Sequence, residues 1–206
     1  MKKRYILIIS LALFLSAVTF GQQNYNNFNG QALRNFGPRN GKLDSTTANP
    51  AINSVNANAQ TAKYRRAGNA KYDNVKIYPQ RKLVDVSPYA THLGIPPKLT
   101  LKVYTSAPVG TKVELQLGKK DDDQYPSGVH SQYEAVTSVQ NAWEVLTFTF
   151  AQIPEGSKVD PTEVDKITLL FSPNSSNTDT YYFDELAGPE LVPESAENHP
   201  APKEEK

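Results

Sequence analysis

The residues able to do chemistry are few, and their spacing excludes more than it offers. The chain has no cysteine, so disulfides, thiolate metal ligands and a cysteine nucleophile are ruled out. Its three histidines, His92, His130 and His199, form neither a His-Glu-x-x-His nor a His-x-His motif, which leaves no spacing for a catalytic zinc. There is no Gly-x-Ser-x-Gly, and no glycine-rich phosphate loop after a strand-like run. Glu134 and Glu144 are the obvious carboxylate pair for glycosidic chemistry, which needs a separation of about 5 to 9 Å. A turn centred on Asn141 would set them about four residues out of register, roughly 13 Å apart, so they read as solvated strand residues. Glu163-Val-Asp165 begins a Glu-x-Asp-x-x-Glu cluster, but Thr168 fills its last position. Asp123, Gly128 and Glu134 match the spacing of a helix-flanked calcium loop; Tyr125, Pro126 and Ser127 break its interior, and the flanks read as strands.

The stretch Lys119 to His130 is the longest insertion between clear strands. It carries Tyr125, Pro126 and His130, with Gln132 and Tyr133 at its base. A tyrosine ring is a flat apolar body with a polar tip, suited to stacking on a sugar face while bonding to its hydroxyls. Loops on a rigid scaffold are common homes for such residues. Tyr125, His130, Gln132 and Tyr133 are therefore the candidate carbohydrate contacts. The competing reading packs Tyr133 into the core and leaves Tyr125 decorating a turn. Trp143, the only tryptophan, reads as core at the start of a strand.

The elements that must hold these residues read as strands. Leu99, Leu101 and Val103 alternate with Thr100, Lys102 and Tyr104, and Val113, Leu115 and Leu117 alternate again. Ser106-Ala-Pro-Val-Gly110 between them is turn chemistry, which predicts an antiparallel hairpin. Ser131 to Val139 and Trp143 to Phe150 are a further pair, and Val164 to Ser172 with Thr180 to Leu186 are read as a terminal pair. Weaker strands are expected at Gln31 to Phe36, Gln60 to Arg66 and Tyr72 to Tyr78, with loop around Thr47-Ala-Asn-Pro50. Many short strands without a 3.6-residue period predict an all-β antiparallel sandwich.

Both ends stand apart from this pattern. Met1-Lys-Lys-Arg4, the apolar run Tyr5 to Phe20 and small residues ahead of Gln22 read as a secretory signal over 1–21. Its removal would leave 19 basic against 21 acidic residues, a near-neutral chain with no footprint for nucleic acid or an anionic membrane. Residues 22–27 are expected to be a flexible lead, 28–187 the sandwich, and 188–206 a disordered Pro- and Glu-rich tail or linker. No membrane span is expected in the mature chain, and no lipid anchor on cysteine; a periplasmic or secreted location follows.

Thr47-Ala-Asn-Pro50, Ala62-Lys-Tyr64, Leu99-Thr-Leu-Lys-Val-Tyr104, Trp143-Glu-Val-Leu-Thr-Phe148 and Tyr181-Tyr-Phe-Asp-Glu185 follow one another in a recognisable order. In that order they resemble the galactose-binding-like jelly-roll modules of secreted Bacteroidetes proteins, many attached to polysaccharide-degrading enzymes. The resemblance implies a jelly roll that binds polysaccharide or oligosaccharide without catalysis, beside a glycan-degrading enzyme. It also implies a structural Ca2+ near the last strand, with Asp184 as the candidate ligand, although Glu185 stands where the family usually has a second aspartate. The alternatives are a structural or protein-interaction sandwich of the cell surface and, more distantly, a small glycanase or lyase.

Overall fold

The structure, a computed structural model, describes residues 22–25, 34–38 (backbone only) and 40–194. The signal expected at 1–21, residues 26–33 and the tail from 195 onward lie outside the described residues. Eleven strands are formed: β1 Gln23–Asn24, β2 Arg34–Pro38, β3 Lys42–Ala48, β4 Gln60–Arg65, β5 Val75–Pro79, β6 Leu99–Thr105, β7 Lys112–Gly118, β8 Val129–Val136, β9 Trp143–Gln152, β10 Lys166–Phe171 and β11 Thr180–Gly188. All pairings between these strands are antiparallel. Among the described residues no helix is long and apolar enough to cross a membrane.

The strand order is β2-β5-β10-β7-β8-β9-β6-β11-β4-β3, with β1 joining β11. It makes two layers, because β9 changes sheets part-way along its length. Its first half, Trp143 to Phe148, pairs with β6; its second half pairs with β8 through Thr149, Phe150 and Gln152. A strand that serves both sheets makes a corner of the sandwich.

The core lies where the two inner faces meet. Leu115, Leu117, Ile167, Leu169 and Phe171 come from one sheet, and Leu99, Leu101, Val103, Tyr181 and Phe183 from the other. Phe171 on β10 stacks on Tyr181 of β11, with ring centroids 4.3 Å apart at 10°, and its centroid lies 5.7 Å from that of Phe183. Burying an aromatic of this size stabilises the fold by about 1.5–3 kcal/mol.

The strand positions match the alternation in the sequence, but two pairings do not. β6 and β7 are not a hairpin: β6 lies between β9 and β11, whereas β7 lies between β8 and β10. β10 and β11 likewise fall in different sheets. Their connections arch across the sandwich, so their apolar faces meet face to face rather than lying side by side. Both ends are also more ordered than composition predicts. β1 pairs with β11, the buried Tyr25 hydroxyl donates to the Pro189 carbonyl at 2.5 Å, and Leu83 bridges Leu191. The Tyr25 ring and backbone pairing thus tie 22–25 and 188–192 to the domain, where a lead and a tail were expected. β3 is a strand where none was expected, and its last two residues, Thr47 and Ala48, fall in the stretch read as loop; its side chains are mostly exposed, so little apolar alternation announced it.

Candidate functional site

Strand alternation sends Leu115, Ile167 and Tyr133 inward, so it must send Gln116, Thr168 and Gln132 to the outer face. Register then aligns them in one row: Lys76 faces Thr168, Thr168 faces Gln116, Gln116 faces Gln132, and Gln132 faces Gln152. Above this floor is a cleft of about 760 Å³, within the usual range for ligand sites.

The floor is a chain of hydrogen bonds. Gln116 and Gln132 each donate a side-chain N–H to Glu114 Oε1, at 2.7 and 2.8 Å. Gln152 donates to Gln132 Oε1 at 2.6 Å. Locked amides of this kind give a ligand fixed partners instead of rotamers to be ordered.

Residues 119–128 fold over one side of the floor. Asp123 of this segment forms an ion pair with Lys76, and a second with Lys166 at 3.1 Å. Lys166 also donates to the Asp122 carbonyl at 2.6 Å. The two lysine side chains are almost fully buried, so the carboxylate that meets them anchors the segment. Gly128 permits the tight return: a Cβ there would lie 2.1 Å from the Asp122 carbonyl oxygen.

The segment presents Tyr125, which is 58% exposed, lines the cleft and donates to Gln132 Oε1 at 3.4 Å. Tyr72, 61% exposed, lines the same cleft from the turn before β5. The strands these rings accompany, β5 and β8, are three strand intervals apart, about 14 Å.

The structure divides the four candidate contacts. Tyr125 and Gln132 lie together in the cleft. Tyr133 does not: it is 1% exposed, packs against Phe150 at 5.8 Å and accepts a hydrogen bond from Ser131 Oγ at 3.1 Å. Its position, one residue after Gln132, turns it to the core, and burial pushes its hydroxyl pKa up. His130 is also buried, with Nδ1 3.0 Å from Ser131 Oγ. A register slip beside Gly118 pairs that glycine with Val129, and Val129 rather than His130 lines the cleft. Burial lowers the His130 pKa, against the smaller opposing effects of Asp160 and Asp85.

Tyr72, Lys76, Glu114 and Gln116 were not singled out from the sequence. Their signal was present in the polar face of the alternating strands, but it became a site only when β5, β10, β7 and β8 proved to be neighbours.

The carboxylates considered for catalysis are engaged elsewhere. Glu134 pairs with Lys112 at 2.8 Å, while Glu144 accepts from the Ser138 N–H and hydroxyl at 2.9 and 2.7 Å. Thr149 faces Glu134, and Glu144 lies about 17 Å further along that strand. Asp123, the first position of the calcium-loop spacing, is instead bound to two lysines.

Asp184 lies on the outer face of the other sheet and is 1% exposed. Its Oδ2 accepts from Asn56 Nδ2 at 3.0 Å and Asn58 Nδ2 at 2.8 Å; its Oδ1 accepts from the Glu185 N–H at 2.8 Å. Burial raises its pKa, with the amide and backbone donors opposing, and it forms no ion pair among the described residues. Lys102 beside it goes to Glu185 at 2.7 Å. Next along β4 from Ala62, the partner of Phe183, the buried Thr61 hydroxyl has no hydrogen-bond partner. A buried carboxylate without an ion-pair partner and an orphan hydroxyl are oxygen ligands of the type a hard cation takes. The Asn56 oxygen, however, already accepts from the Asn58 N–H, and no cluster of three or more His, Cys, Asp or Glu able to hold a metal is found among the described residues.

No family model and no curated protein matches the sequence. Solved structures do resemble the fold. A family 11 carbohydrate-binding module of a Clostridium thermocellum cellulosomal cellulase superposes at a TM-score of 0.51 with 12% identity, over 85% of this chain and 99% of the module. The family 11 module in complex with a β-1,3-1,4-mixed-linked tetrasaccharide gives 0.53 and 11%, over 84% and 98%. An exo-β-agarase gives 0.55 and 11%, over 84% of this chain, which spans only 25% of the agarase. At these identities the likeness establishes the fold: an antiparallel β-sandwich of the kind seen in carbohydrate-binding modules.

Proposed function

We propose that this protein is exported, to the periplasm or beyond the cell, and that its cleft holds a stretch of polysaccharide without cleaving it. The observation that carries this reading is the cleft: a row of hydrogen-bonded amides on a rigid sheet, lined by the exposed rings of Tyr72 and Tyr125. Sugars have apolar ring faces rimmed by hydroxyls, and this lining answers both features. The tetrasaccharide-bound sandwich named above supports the reading by its likeness of fold. The positions of the cleft carboxylates argue against cleavage, since Asp123 is committed to two lysines and leaves Glu114 without a free partner acid. Galactose-binding-like ancestry, a glycan-degrading partner and a structural Ca2+ at Asp184 belong to the same proposal.

A shallow site of this kind binds with a Kd in roughly the mM to µM range. Affinity electrophoresis of the full chain through gels holding glucans, mannans, xylans or alginate tests it. At least one polymer should retard the protein, and Tyr72→Ala combined with Tyr125→Ala should abolish that retardation. Unchanged mobility in every gel would sink the proposal.

One observation favours a second reading, a protein-interaction sandwich: Leu93 and Ile95 are 82% and 98% exposed on one loop. If a surface protein is captured through Leu93 and Ile95 while no glycan retards the chain, that reading takes over.

A further inference from the structure

We infer that the cleft selects neutral, hydroxyl-rich chains over anionic ones and that Glu114 sets the preference; this rests on the glycan-binding reading above. Four lining residues carry formal charge, Lys76, Lys166, Asp123 and Glu114, and they balance. They are not mixed evenly. Both lysines are drawn to Asp123 under the overlying segment, whereas Glu114 sits in the floor and forms no ion pair among the described residues. A polyanion therefore gains no net field on entering the cleft, and it meets a carboxylate there.

The hydrogen-bond polarity of the floor points the same way. Gln116 and Gln132 each direct an N–H to Glu114, and Gln152 directs one to Gln132. The oxygens of Gln116 and Gln152 and Oε2 of Glu114 accept no hydrogen bond among the described residues. Each of these amides also keeps a second N–H, so the amides are balanced and the bare Glu114 carboxylate oxygen is what tips the floor toward acceptors. Sugar hydroxyls can donate to it, and a charge-assisted O–H···O⁻ bond is about twice as strong as a neutral one. Carboxylate or sulfate substituents only accept, so one set against Glu114 would leave that carboxylate desolvated and unmatched beside a like charge. Glu114 is the residue that converts this polarity into selectivity.

The test measures the full chain by affinity electrophoresis and calorimetry against two neutral polymers, a β-glucan and a galactomannan, and two anionic ones, alginate and polygalacturonate. A neutral polymer should bind best, with affinity changing less than about twofold between roughly 0.05 and 0.5 M NaCl. Glu114→Gln should weaken that binding about tenfold or more at unchanged melting temperature. Stronger binding of alginate or polygalacturonate, or unaltered affinity in Glu114→Gln, would overturn the inference; loss of that binding in the Tyr72→Ala/Tyr125→Ala protein would show that the cleft reading survives. Retardation by none of the four would sink both. If Glu114→Gln does not fold, the ranking of neutral against anionic polymers by the native chain decides the matter.

Discussion

The two outer faces of the sandwich are built from the same alternation, yet one is open and the other closed. On the β5-β10-β7-β8 face, an overlying segment is pinned at one side by Asp123, and a polar floor remains free for a ligand. On the β9-β6-β11-β4 face, the asparagine-rich loop 49–59 lies down and seals itself. Asn49 accepts from Trp143 Nε1 at 2.9 Å and donates to the Asn58 carbonyl at 2.7 Å, while Asn56 and Asn58 reach Asp184. Trp143 is buried, as its place at a strand start suggested, and lies in the cross-strand row with Tyr104 and Tyr182, bonded to the loop through Asn49. Short amides that satisfy one another close a face. Long side chains held by charge at one edge leave it accessible.

The largest test of this contrast is Trp143→Ala. Removing a buried indole from the sealed face should cost about 3–5 kcal/mol in denaturant unfolding, with no change in glycan affinity. Lost affinity at retained stability would mean that the binding face has been placed on the wrong sheet. Next is the cation. Calcium at about 100 times its Kd should add about 2.7 kcal/mol, or about 5–10 °C in melting temperature, to the native chain and nothing to Asp184→Asn. The sign with pH follows from the raised Asp184 pKa. In chelator, its contribution favours the fold while the group is protonated and is lost as pH rises through the folded-state pKa. The native chain should therefore lose stability relative to Asp184→Asn as pH rises above about 4, the ordinary carboxylate value. A parallel pair of curves, with and without calcium, would remove the cation from the account.

Asp123→Asn probes the hinge of the open face. It strips two buried lysines of their carboxylate, and because Asp123 is partly exposed the loss should be about 1–2 kcal/mol. Glycan affinity should fall with it, since Tyr125 is carried by the freed segment. The smallest expected effect is on stability in Tyr72→Ala/Tyr125→Ala, within about 0.5 kcal/mol of the native chain, as both rings are exposed. A large loss there would make them structural and undo the contrast between the two faces.

The sequence by itself determined which residues of each strand face inward, because a period of two belongs to a single strand and needs no partner to be read. Leu99, Leu101, Val113, Leu115 and Leu117 were legible on that ground, as was the separation of Glu134 from Glu144. Only the tertiary structure decided which strands are neighbours. The turn between β6 and β7 looked like a hairpin turn, yet it spans two sheets, because the apolar faces bury more by meeting across the core than by continuing one sheet. Once β5, β10, β7 and β8 stood together, Lys76 and Lys166 converged on Asp123, 43 positions before Lys166, and four separate polar faces became one floor. Tyr133 and Gln132 are adjacent in sequence, and the pleat sends one to the core and the other to the cleft.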